Sequence, residues 1–71
     1  MRLGDTLVSG DNLYRIIGFG LILTFEDGDK KRLHLPAWDM VEAVDRGYES
    51  AQGYNSVKSA VVCPIGVMNG K

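Results

Sequence analysis

Glycine and aspartate stand together at Gly4-Asp5, Gly10-Asp11-Asn12 and Asp27-Gly28-Asp29, with short apolar runs between the clusters. Glycine supplies the positive φ that tight hairpin turns need, and aspartate closes such turns through its own side chain, so the spacing is that of β-hairpins. It predicts strands near residues 5–9, 13–18, 20–26 and 30–35. Gly18-Phe19-Gly20 is the expected sharp corner, because the missing side chains let a sheet bend there.

Parity tests the second hairpin. Leu21, Leu23 and Phe25 alternate with Ile22, Thr24 and Glu26, while Leu33 and Leu35 alternate with Lys30, Arg32 and His34. A two-residue loop would set Leu23 against Arg32, whereas a three-residue Asp27-Gly28-Asp29 loop pairs Leu23 with Leu33 and Leu21 with Leu35, keeping the apolar sets on one face. The other face then carries Lys30, Arg32 and His34 as a locally basic strip.

From Pro36 the period changes. Ala37, Met40, Val41, Val44 and Tyr48 recur at helical spacing, with Asp39, Glu42, Asp45, Arg46 and Glu49 opposite. Pro36 suits the first position of a helix, Asp39 complements its positive end, and Gly47 is available to stop it. Residues 57–63 read as a last strand ending at Pro64. The expected fold is therefore α+β: a small, strongly bent antiparallel sheet, or an SH3-like or OB-like barrel, of about five strands with one amphipathic helix before the last strand. The segments are a β-meander over 4–35, a helix over 36–47, a loop over 48–56, the final strand over 57–63 and a tail over 64–71.

The chain has 71 residues, enough for one small domain with a thin core and no large substrate cavity. One cysteine, Cys63, cannot form an intrachain disulfide, and the first residues carry no apolar stretch of signal-peptide type, so a reducing cytoplasm is expected. The apolar run over 16–25 is too short for a membrane helix and is broken by Gly18 and Gly20, so no membrane association is expected. The formal net charge of -1 lacks the basic balance of many nucleic-acid binders.

Candidate chemistry is sparse. His34 is the lone histidine and Cys63 the lone thiol, which cannot supply four ligands to a structural zinc, and no phosphate-cradling loop is present. No catalytic residue, metal site or cofactor is expected. Two surfaces remain. Lys30, Lys31, Arg32 and His34 could contact phosphates with Tyr14 or Phe19 stacking on a base. Trp38 falls on the polar side of the helical wheel with Glu42, Asp45 and Glu49, where it either covers the barrel mouth or anchors a partner with a basic surface.

Asp45-Arg46-Gly47-Tyr48, then Ala51-Gln52-Gly53, then residues 57–62 resemble a segment of superfamily-one DNA helicases and of the helicase-like parts of conjugative relaxases, with Phe25-Glu26-Asp27-Gly28 as the corresponding hairpin. The resemblance implies an SH3-like meander and a DNA-processing context. About four residues of the family's pattern between Tyr48 and Ala51, including its histidine, are missing, and no ATP-binding loop occurs. The expected function is a non-catalytic protein-interaction module, an accessory or inhibitory factor of the phage or plasmid type, acting through Trp38, Glu42, Asp45 and Glu49. The alternative is a nucleic-acid-binding barrel using Lys30, Lys31, Arg32 and His34. A homodimer could form if a second copy extended an unpaired strand edge.

Overall fold

The computed structural model describes residues 1–68; residues 69–71, the end of the expected tail, lie outside the described residues. The elements in chain order are β1 (Thr6–Ser9), β2 (Asn12–Phe25), β3 (Lys30–Leu35), α1 (Met40–Gln52) and β4 (Val57–Met68). The strands form an antiparallel sheet of four, with the helix before the last strand, so the α+β class holds. The sheet is open. β2 is its spine, pairing with β1 through its first residues, with β3 through its second half and with β4 along most of its length. Among the described strands no further pairing closes a barrel.

Four strands stand where about five were expected because 13–18 and 20–26 are one strand. Gly18-Phe19-Gly20 does not turn a corner. Instead Ile16 pairs with Gly66 and Gly18 with Ile65, leaving Ile17 as an extra residue in β2. Such a bulge switches side-chain parity without ending the strand. That is why Ile16 on one side of it and Phe19, Leu21 and Leu23 on the other are all buried in one core.

The β2–β3 loop has the expected odd length, but its register differs by two residues. Leu21 pairs with Leu33, Phe19 with Leu35 and Leu23 with Lys31. The Phe25 N–H donates to the Asp29 carbonyl and the Gly28 N–H to the Phe25 carbonyl, which makes Glu26-Asp27-Gly28 the loop. Gly28 has φ +94°, the left-handed position that closes a three-residue hairpin. The glycine selects the register.

The helix differs most from expectation. It starts at Met40, with Asp39 as N-cap accepting from the Glu42 N–H at 2.9 Å, and it runs through Gly47 to Gln52. Gly47 is a packing residue. A methyl at its Cα would lie 2.7 Å from Val62 Cγ2, 3.5 Å from Leu21 Cδ1 and 3.6 Å from Leu35 Cδ1, so the helix axis approaches the sheet as closely as a bare backbone allows. The buried stripe is Met40, Ala43, Gly47 and Ala51, spaced for one helix face. The larger Val41, Val44 and Tyr48, expected in the core, are rotated outward.

β4 continues through Pro64, which was expected to end it, as far as Met68. Phe25 bonds toward β3, whereas the Glu26 N–H donates to Ser56 on the β4 side. Alternation along β2 therefore directs Gly20 and Ile22 to Cys63 and Val61, so Pro64, opposite Phe19, turns its missing donor to the free edge of β4. A proline can sit there at no cost to the ladder.

Candidate functional site

Two exposed surfaces lie on opposite sides of the sheet. The first is the outer face of α1. Small side chains let the helix dock closely, and the bulky apolar ones are left in solvent: Val41 is 74% exposed, Tyr48 68% and Val44 49%, while Trp38, expected on the helical wheel, precedes the N-cap Asp39 and is 74% exposed at the N-terminal end of the helix. Asp45 and Glu49 are exposed on the same side, as the helical wheel required. Trp38 does not cover a barrel mouth.

The N-terminal end of this face is held by a tight network. The Trp38 N–H donates to Glu42 Oε1 at 2.8 Å while the Glu42 N–H donates to Asp39 Oδ1, a reciprocal arrangement akin to a capping box with its return bond one residue earlier. The Trp38 carbonyl accepts from Leu3 N–H and the Met40 N–H donates to the Met1 carbonyl, both at 2.8 Å. The backbone on either side of the indole is thereby fixed. Arg46 Nη2 lies 3.4 Å from Glu42 Oε2, a surface pair worth about 0.3–0.5 kcal/mol. Glu42 is thus mainly a positioning residue for Trp38, while Asp45 and Glu49 supply the open negative charge.

The second surface is the sheet face away from the helix. β3 places Lys30, Arg32 and His34 there, paired with Thr24, Ile22 and Gly20. Lys31 has the opposite parity and leaves the cluster, its Nζ standing 6.0 Å from the Tyr54 ring centroid on the helix side, where Tyr54 also meets Phe25 edge-on at 6.0 Å. The expected stacking partners are elsewhere too: Phe19 is fully buried, and Tyr14 pairs with Leu7 on the helix side. Among the described residues the sheet face is basic and aliphatic and carries no aromatic platform.

At its centre a groove of about 340 Å³ runs over Gly20, walled by Arg32, His34, Cys63, Ile22 and Ile65. His34 and Cys63 pair with Gly20 from its two sides, a juxtaposition with no signal in the sequence, where they stand far apart. Two strand spacings of about 4.8 Å separate their backbones. Among the described residues no hydrogen bond joins the imidazole to the thiol, so Cys63 is not held against a base. A wider depression of about 570 Å³ at the hairpin end, between Phe25 and Ser56, mixes Glu26, Asp27 and Asp29 with Lys30 and Lys31. No three His, Cys, Asp or Glu side chains gather as metal ligands among the described residues. No helix there is long and apolar enough to cross a membrane.

Gln52 and Gly53, which carry the helicase-like resemblance, form the exposed C-terminal end of α1, where the Gly53 N–H donates to Ser50 at 3.1 Å. No known protein family, curated protein or solved structure matches the chain.

Proposed function

We propose that the chain is a non-catalytic protein-interaction module, an accessory or inhibitory factor of the phage or plasmid type, that docks a protein with a basic surface through the outer face of α1. The observation that carries this reading is the outward Trp38, Val41, Val44 and Tyr48 beside Asp45 and Glu49. Large aromatic anchors ringed by like charge are the pattern of an interface whose energy sits in a few residues and whose charge selects the partner. A helix presenting such a face fits a groove or another helix. The Glu42 and Asp39 network supports the reading further, because a pre-positioned anchor loses less conformational freedom on binding. An inhibitor of this build acts by presenting negative charge where a nucleic acid would otherwise lie.

The test places a photo-crosslinking residue at Val41 or, as a control, at Thr24 on the sheet face, and recovers adducts from cells. In parallel, oligonucleotides are titrated with Trp38 fluorescence and oligonucleotide anisotropy followed at low and physiological salt. Adducts with a protein other than the chain itself, formed at Val41, absent at Thr24 and lost with Trp38→Ser, support the reading. Salt-sensitive anisotropy growth abolished by Lys30→Glu with Arg32→Glu would replace it with nucleic-acid binding through β3.

A further inference from the structure

The sheet face opposite the helix is a second unpartnered surface, and its features point to one occupant. Val61 beside Ile22, Ile65 beside Gly18, and Val67, Leu13 and Val8 flanking Arg15 toward the β1 end are exposed along it. A monomeric domain rarely leaves so extended an aliphatic face in water. We propose that this face packs against the same face of a second copy of the chain, forming a two-sheet sandwich with a helix on each outside. The inference is independent of what α1 binds.

Three observations select this arrangement. The first is size. The molecule measures 42 × 23 × 14 Å, so its broad face is of the order of the ~800 Å² per partner that a stable interface buries. The second is the edge. Pairing through β4, the longest free edge, would present Pro64 without a donor in mid-strand, which disfavours extension of the sheet there, while the free edges of β1 and β3 are only four and six residues long.

The third is the charge pattern. Lys30, Arg32 and His34 lie on β3 at one side of the face and Arg15 on β2 near its β1 end, whereas β4 at the other side offers Ser59, Val61, Cys63 and Ile65. A two-fold axis across the strands would stack the basic row on itself. An axis along β2 instead sets the basic row of each copy over β4 of the other, so the side-chain stems cover Val61 and Ile65 while the charged ends reach solvent at the rim. The second halves of the spines then meet at the centre, where the groove over Gly20 leaves room for a side chain of the second copy, while the two exposed Arg15 side chains face each other toward the β1 end and extend into solvent there. This axis closes the assembly at two, with both helix faces outward.

Sedimentation equilibrium in the presence of reductant tests the proposal, on the wild type, on Val61→Lys with Ile65→Lys, and on Val41→Lys. The wild type should sediment at twice 7.8 kDa at tens of micromolar. The sheet-face pair should weaken association by more than about 100-fold, and Val41→Lys should leave it unchanged. Chemical shifts of the wild type supply a readout that needs no variant: those changing with concentration should cluster at Ile22, Val61 and Ile65 and spare Val41 and Tyr48. A monomer throughout, a dimer that survives the sheet-face pair or dissociates with Val41→Lys, a dimer seen only without reductant, or growth beyond two copies would each overturn the proposal.

Discussion

Gly47→Ala puts the helix docking to a quantitative test, because two effects of opposite sign compete at one atom. In an isolated helix the substitution gains about 1 kcal/mol, since alanine loses less backbone freedom than glycine. In the folded protein the new methyl would lie 2.7 Å from Val62 Cγ2, roughly 1 Å inside ordinary carbon contact, with Leu21 at 3.5 Å and Leu35 at 3.6 Å blocking escape. Val62 is β-branched and stiff at χ1, so it cannot swing aside cheaply. Overpacking of this kind costs about 1–3 kcal/mol. With three neighbours confining the methyl the upper part of that range applies, and we predict a net loss of about 1–2 kcal/mol, or roughly 5–15 °C in thermal midpoint for a domain of this size. In a Val62→Ala background the clash is gone, and Gly47→Ala should stabilise by up to about 1 kcal/mol. Thermal and urea unfolding of the four proteins closes the cycle. An increase in stability from Gly47→Ala in the wild-type background, or an equal effect in both backgrounds, would show that the helix does not rest on the sheet at Gly47.

Other positions give further expectations. Asp39→Ala removes the N-cap and should cost about 1 kcal/mol in urea unfolding. Glu42→Ala should cost less stability but release the Trp38 backbone, seen as faster amide exchange at Trp38. Gly28→Ala forces a side chain into φ +94° and should lose about 1 kcal/mol or more, with Gly28→Asn partly tolerated. Phe19→Ala, at the centre of a core with few fully buried side chains, should cost about 3–5 kcal/mol and leave the domain largely unfolded in circular dichroism. Lys30→Glu should change monomer stability by less than about 0.5 kcal/mol.

Much of the sheet was legible in the sequence because its signals are local. The Gly-Asp clusters set the turns, and the alternation of leucines with Lys30, Arg32 and His34 assigned the faces correctly, even though the register differs by two. The bulge leaves a trace in the pattern of apolar residues. The buried set moves from Ile16 to Phe19, Leu21 and Leu23, a parity change that Gly18 and Gly20 suggested was a corner. Pro64 looked like a terminator because its harmlessness depends on facing a free edge, which is a tertiary fact. The helix rotation was hidden for a deeper reason. Hydrophobic periodicity weighs large side chains and so favoured Val41, Val44 and Tyr48, whereas the closest packing is made by the smallest residues, Ala43 and Gly47. Gly47 read as a stop signal when it is the point of contact. The acidic side with Trp38 was legible, and its apolar half was not.

The measurement that tests the outward helix face and its use together is thiol labelling of Val41→Cys and Ala43→Cys, each in a Cys63→Ser background, on purified protein and inside cells. In purified protein we predict that the cysteine at 41 labels at the rate of an unfolded peptide and the one at 43 at least about tenfold more slowly, given an Ala43 that is fully buried beside a Val41 that is not. Inside cells where a partner is present, the cysteine at 41 should become shielded. A thiol at 41 that is protected in purified protein would contradict the helix docking, and one equally reactive in both settings would contradict the partner-binding role.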